Sequence, residues 1–398
     1  GVSAGSPIYR MSASGAGVAA TSVNRAWDNF KAADARNSSA DASRAGTRAQ
    51  WLGAIETAMP DGDSGVSATV TGFFTAATKL AAAPTSAVSR AATLSALGDA
   101  VGAITATATR LTRVAVGIAS QAGSAVASVN ANLAALADVN QALARTPAGT
   151  SAKASLADQR DRLLDDLSGQ IGAEATIGSN GTATVTLAGS DAPLVTGNQA
   201  ARIDLATAAE GALSLSIGGA AITPTGGSLA GLADAAAATA TARTTLDTIA
   251  TDFTGQINAW QARGQTPAGA PGQPLLTITE KAATLMLATA APAAIAAASG
   301  DSANGNLASL ADLRGADGAE ARLSALVNGN AQALASANAA ASAAGSRRDA
   351  AMIARNDASG IDLDREAAEL IRFQQAYDGS ARVIQVARET LQSILSLF

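Results

Sequence analysis

The 398-residue chain contains no cysteine and no histidine. Their absence removes disulfides, thiolate nucleophiles, imidazole general bases, zinc fingers and almost every transition-metal site built on nitrogen or sulfur ligands. Most hydrolase mechanisms lose their usual base, and the residues that remain suggest no enzyme, cofactor or metal. Aromatic residues are scarce, at 3% against a hydrophobic content of 48%, so alanine carries most of the apolar count. Alanine favours helix by intrinsic propensity and gives closely packed helices. The net charge of -5 lacks the concentrated Lys and Arg needed to grip nucleic acid or anionic lipid. Every Ala-rich stretch is interrupted by Thr, Ser, Asp, Gly or Arg, and none reads as the roughly 18 apolar residues of a membrane span. The opening Gly1-Val2-Ser3 does not begin a signal peptide. Either secretion uses another route or the natural start lies upstream.

Along the chain, a Gly/Ser-rich extended opening leads to an expected helix over 24–59, which stops at the turn residues Met59-Pro60-Asp61-Gly62-Asp63-Ser64-Gly65. Further helices are expected over 67–82, 89–145 and 151–168. Leu111, Ala115, Ile118, Ala122, Val126, Val129, Leu133, Leu136, Asn140 and Leu143 follow spacings of three and four, the seam of a coiled coil or bundle. The period then changes to two in Ala173 to Ile177, Thr182 to Leu187 and Leu213 to Ile217, around Asn180-Gly181 and Gly218-Gly219, which predicts short strands and tight turns. Helix returns over 228–261, and a short β stretch is expected near 275–295.

The fold class expected is mainly α with an inserted β module. A discontinuous helical bundle or coiled-coil domain, built from both chain ends, would carry a small outer β-rich domain. The divisions are 1–169 and 228–358 for the helical domain, 170–227 for the β module and 359–398 for a C-terminal coiled-coil helix. In that last helix Leu363, Leu370, Tyr377, Ile384, Leu391 and Phe398 recur every seven residues, with Ala367, Ala381 and Leu395 at intervening positions. These nine are the candidate intersubunit packing residues; the alternative is a helix that lays the same face on its own domain. The apolar end Ser393-Ile394-Leu395-Ser396-Leu397-Phe398 favours a partner, because free termini fray unless docked.

The run from Ser359-Gly360-Ile361-Asp362-Leu363 through Arg372-Phe373-Gln374-Gln375-Ala376-Tyr377 to Val383-Ile384-Gln385 resembles the "SGVNLDEEAANLIRFQQAYQASARVIQ" ending of flagellar hook-associated protein 1. Three earlier segments resemble the same family in order: Val23-Asn24-Arg25-Ala26-Trp27-Asp28-Asn29-Phe30, then Asp63-Ser64-Gly65-Val66 to Phe73-Phe74, then Leu156-Ala157-Asp158-Gln159-Arg160-Asp161-Arg162-Leu163-Leu164-Asp165-Asp166-Leu167-Ser168. The resemblance implies a structural subunit at the hook-filament junction of the bacterial flagellum, extracellular and secreted by the flagellar type III route without a cleaved signal peptide. It also implies as partners hook protein, the second junction protein or flagellin, further copies of the chain, and a type III export chaperone. The family's opening helix with its "NIANANTPGYSR" box is absent, which implies truncation, and the outer domain is compact. A second junction protein or a flagellin is the sister reading, and a secreted adhesin or glycan-binding protein using the β module is the reading of another class.

Other chemistry-bearing patterns have plainer explanations. Asp61-Gly62-Asp63-Ser64-Gly65 looks like a cation loop, but the twelfth position of an EF-hand would be Gly72, and a helix-helix turn explains it. Asp158, Asp161, Asp165 and Asp166 alternate with Arg160 and Arg162, as on a solvated, salt-bridged helix face. Gly15-Ala16-Gly17 lacks the third glycine and preceding strand of a dinucleotide site. Glu366, Glu369, Arg372 and Arg382 flank the C-terminal seam, where they would set register between subunits or simply keep the helix soluble.

Overall fold

The computed structural model describes residues 5–11, 18–25, 28–62, 65–190, 192–359 and 363–396. The chain opens on an antiparallel hairpin of β1 (Gly5–Met11) and β2 (Val18–Arg25). The helix expected from residue 24 therefore starts later, as α1 (Asn29–Ala58). Its start is fixed by Asp28, whose carboxylate accepts from the backbone N–H of Phe30 at 2.9 Å and Lys31 at 3.1 Å and so satisfies two of the helix's orphan donors. α2 (Val66–Ala82) follows, then α3 (Ala87–Arg145), a helix of 59 residues. At 1.5 Å rise per residue α3 is about 90 Å long. α4 (Ser151–Ile171) starts at Thr150, whose hydroxyl accepts from the Lys153 N–H.

Seven strands come next: β3 (Ala173–Ile177), β4 (Ala183–Leu187), β5 (Pro193–Thr196), β6 (Gln199–Ala200), β7 (Ile203–Thr207), β8 (Leu213–Ile217) and β9 (Ala220–Ile222). They form two antiparallel sheets, β3-β4-β5-β6 and β7-β8-β9. α5 (Gly227–Ala262) returns the chain to the helices. Between 263 and 318 the chain is mostly loop and single helical turns, with two-residue strands β10 (Leu276–Thr277) and β11 (Met286–Leu287) and the short α6 (Gly305–Ala308). α7 (Ala319–Ser359) packs along α1, so the helical body is built from both halves of the chain, and α8 (Leu363–Leu395) follows.

Two cores share α3. The first joins the N-terminal half of α3 to α2, the C-terminal halves of α1 and α5, and the start of α7. The buried aromatics Phe73, Phe74, Phe253 and Trp260 gather here: Phe73 and Phe253 meet edge to face at 6.4 Å, and Trp260 donates its indole N–H to the Asn306 carbonyl at 2.7 Å. The second core packs the C-terminal half of α3 and the start of α5 against α4 and both sheets. Every residue of the helical seam expected on α3 is buried. One 18-residue window of α3 reaches a mean hydropathy of 1.2, long and apolar enough to cross a membrane by composition, which corrects the expectation that no such run exists. Only 28% of that window is buried, whereas along α3 as a whole the large apolar residues Leu111, Ile118, Val129 and Leu133 are fully buried against protein.

Side-chain amides fasten irregular chain to the helices. Asn140 on α3 accepts from the Ala183 N–H at 2.8 Å and donates to the carbonyls of Ala183 and Gly197, each at 2.8 Å. Asn130 makes the same two-way pairing with the backbone of Ile203. On α5, Asn258 pairs with Leu275 and Leu276, and Gln261 with Ala294 and Ala296. Each amide mimics a neighbouring strand's peptide group, so backbone beyond the reach of the ladders is still satisfied.

The β module enters and leaves through a neck of glycines. Gly172 ends α4 at φ 71°, and a Cβ there would lie 2.8 Å from the Gly226 Cα. Gly227 has φ 77°, and its Cβ would lie 2.4 Å from the Gln170 carbonyl carbon. Only residues without Cβ allow both the left-handed backbone and this approach.

The charged pattern on α4 divides. Arg162 and Asp166 are exposed, but Arg160 and Asp161 are buried, which corrects the reading of a uniformly solvated face. The Arg160 guanidinium donates to the Asp161 carboxylate at 2.6 and 2.9 Å and to the Gly181 carbonyl at 2.7 Å, so it ties α4 to the turn between β3 and β4. Asp165 lies between Arg36 of α1 and Arg355 of α7.

Candidate assembly surface

α8 carries the heptad seam as a helix. In α3 the corresponding apolar positions are closed off, with Leu111, Ile118, Leu133 and Leu136 at 0% exposure. In α8 the exposures are 59% for Leu370, 74% for Tyr377, 61% for Ile384 and 60% for Leu391. Ala367 and Ala381 are exposed with them, and the polar interruptions Gln374 and Arg388 lie on the same strip. The side chains of Leu363 and Leu395, and all of Phe398, lie outside the described residues, as do those of Glu366 and Glu369. Arg372 and Arg382 are exposed beside the seam.

A second apolar strip escapes a reading confined to the first seam. Phe373, Val383 and Ile394 are exposed, and Phe373, Ser380, Ala387 and Ile394 recur every seven residues with Ala376, Val383 and Thr390 three places after the first three of them. On a helical projection this strip is displaced by roughly a quarter turn from the first. Ile371 and Val386 are exposed as well. A helix that lays one face on its own domain shows one apolar stripe and hides it. α8 exposes two, an arrangement that suits contact with more than one neighbouring helix.

At the end of α7, before α8 begins, the charges are crowded. Arg355 donates to Asp165 at 2.8 Å, and the Arg36 guanidinium comes within 3.8 Å of the other Asp165 oxygen. Burial pushes the Asp165 carboxyl above its ordinary range, against the pull of Arg355 and Arg36, and pushes the Arg36 guanidinium down, against the pull of Asp165 and Asp161.

Among the described residues, no three His, Cys, Asp or Glu side chains gather as a metal site. Asp61 accepts from the Gly62 N–H at 2.8 Å, and Gly65 closes the turn onto the Gly62 carbonyl. Asp63 and Ser64 lie outside the described residues, as does the Gly15-Ala16-Gly17 run.

Comparison with known proteins places these parts. Residues 52–276 match the family described as flagellar hook-associated protein FlgK helical domain, a span that takes in most of both cores and the β module. Residues 356–397, which contain α8, match the family described as flagellar basal body rod FlgEFG protein C-terminal. No curated protein matches by sequence. The fold is similar to the solved structure of the flagellar hook junction protein FlgK from Burkholderia pseudomallei, with a TM-score of 0.59 and 18% identity over 67% of this chain and 66% of that one. The chain thus spans a little under two thirds of that protein's length, and at this identity the likeness concerns the fold, helical with small antiparallel sheets. The first family match alone takes in more than half of the 398 residues, and the second adds the exposed terminal helix: the chain belongs to the flagellar hook-associated protein FlgK family.

Proposed function

We propose that the chain is a structural subunit of the bacterial flagellum that joins hook to filament by helical self-assembly, with α8 as its principal packing element. The observation that carries the reading is the exposed double seam of α8, inside the segment that matches a flagellar rod family. Heterologous, head-to-tail contacts build a ring or short tube when the rotation between copies does not close on a pair. In that arrangement Leu363, Ala367, Leu370, Tyr377, Ala381, Ile384, Leu391, Leu395 and Phe398 face a neighbouring helix. The strip through Phe373, Val383 and Ile394 faces another. The partners in this reading are hook protein on one side, the second junction protein or flagellin on the other, and further copies of the chain, after secretion with a chaperone by the type III route to the cell exterior. The task is mechanical, without a reaction, and the β module of residues 170–227 forms the outer domain.

The test is the double substitution Leu370→Asp and Ile384→Asp in the full-length protein. Both side chains are about three-fifths exposed in the single chain. Burying what remains is worth ~1–2 kcal/mol for each, and an unpaired carboxylate at a closed helix interface costs several kcal/mol more. Within the single chain the same changes alter little beyond helix propensity, ~0.5 kcal/mol each. The expected result is loss of filament attachment and motility with near-normal secretion and an unchanged melting transition of the helical body. A strongly destabilised monomer would mean that α8 serves its own domain. Normal filament attachment would remove α8 from the junction.

A further inference from the structure

α7 changes its means of attachment half-way along. It lies antiparallel to α1: Asn330 reaches the Leu52 carbonyl near one end, and Arg355 and Arg36 share Asp165 near the other. In its first half Leu323 is buried and Leu326, Val327 and Leu334 are partly buried against the first core. Beyond Leu334 the buried apolar residues are Ala337, Ala344 and Ala351, one methyl every seven residues. Met352 is only half-buried and Ile353 is 62% exposed. The buried apolar residues of α1, the helix along which α7 lies, are Ala32, Ala35, Ala40 and Ala49 in the stretch before Leu52, also small. Such a seam packs closely but buries little apolar area, so hydrophobic attachment falls away along the last half of the helix.

The charged cluster stands where the apolar hold is weakest. Asp165 of α4 accepts from Arg355 of α7 and faces Arg36 of α1, so three helices meet on one carboxylate. Asp161 and Arg160 stand behind it on α4. The cluster is incompletely satisfied, because Arg36 Nη1 and Asp165 Oδ1 are buried without a hydrogen-bond partner. A polar network with open positions in a low-dielectric setting fixes geometry but adds little net stability, and it is easily opened.

We propose that Arg355, Asp165 and Arg36 form an ionic latch that holds residues 337–359 against the helical body and so sets the direction in which α8 departs. When the latch opens, the second half of α7 swings as an arm that carries α8, while both cores stay folded. This inference is independent of the junction role: it concerns the joint between body and α8 whatever α8 binds.

The absence of native cysteine makes the test clean, since spin labels can be placed at Asn37→Cys and Ile353→Cys without competing thiols. Hydrogen exchange over 337–359 and over 101–143, with the distance distribution between the labels, is measured in the parent, in Arg355→Gln and in Arg355→Lys. Arg355→Gln removes the cation from α7 but leaves Arg36 to face Asp165. The expected result is exchange at least tenfold faster over 337–359, less than twofold change over 101–143, and a broadened label distance. Arg355→Lys keeps a cation within reach of Asp165 and should restore most of the protection. Unchanged exchange over 337–359 in Arg355→Gln would show that the alanine seam holds the arm alone, and equal acceleration in both regions would make the cluster a global strut. Failure of Arg355→Lys to restore protection would assign the hold to the side chain's packing. Any of these three results overturns the latch.

Discussion

Replacing Asn140 by Ala should release the edge of the β module from α3 without unfolding the helices. The Asn140 side chain is 1% exposed, and it alone on α3 satisfies three backbone groups there: the N–H and carbonyl of Ala183 and the carbonyl of Gly197. β4 pairs with β5 only at Val185 and Thr186, so Ala183 lies beyond that ladder. Each buried backbone group left without a partner costs ~1–3 kcal/mol, and three such groups set the scale. Two effects reduce it. The Gly197 contact is only partly buried, so water can take over that bond, and alanine is the better helix former by about 0.7 kcal/mol. The remaining loss is ~3 kcal/mol, equivalent to about 100-fold faster amide exchange at ~1.4 kcal/mol per tenfold. Exchange measured by mass spectrometry over residues 183–200 should show that increase, with peptides from the first half of α3 little changed. An increase below threefold would mean that the amide pairing is incidental and that apolar contact alone seats the module.

Gly172→Ala should destabilise the protein by ~2–4 kcal/mol, the sum of ~1–2 kcal/mol for a left-handed alanine and the overpacking against Gly226; a urea midpoint equal to the parent's would refute the tight neck. Glu320 is pushed up by burial, but hydrogen bonds from Arg314 and Thr71 outweigh this and hold it below the ordinary carboxylate range. Its folded pKa lies below its unfolded one, so its stabilisation is complete above the unfolded value of ~4.3 and is lost as pH falls through the folded value. Glu320→Gln should therefore lower the melting temperature at neutral pH and flatten its fall on acidification, and parallel curves for variant and parent would refute this.

The seam of α3 was legible because its branched and long apolar residues recur at three and four and meet cores that bury that same face. The strands of the β module were legible by their period of two, although β5, β6, β7 and β9 lacked a strong enough alternation to stand out beside their neighbours. The N-terminal hairpin was not. Val18–Arg25 reads VAATSVNR, small residues with no clear period, so the opening read as extended without a strand pairing, and the expected helix start at 24 fell inside β2, ahead of the Asp28 cap. Burial of Arg160 and Asp161 was hidden for another reason: the Gly181 carbonyl that completes their site comes from a turn 21 residues away. At the candidate assembly surface the seven-residue spacing marked the first seam directly. The second strip needed the full helical projection, because Ser380 and Thr390 interrupt its apolar character.

The glycine neck also bears on how the β module of such a protein can be exchanged. Because the chain leaves α4 and re-enters α5 at backbones in van der Waals contact, the helical scaffold sees the inserted segment as a closed loop of nearly zero span. A larger or different module whose own ends lie side by side can be grafted there without lengthening or turning either helix, as domain insertion generally requires. The graft has one obligation beyond its ends. It must rebuild the sheet side of the second core, in which Val126, Val129, Leu133 and Leu136 of α3 lie buried. Replacement modules are thus constrained at one face and free everywhere else, which makes the β module the part of this architecture most open to diversification.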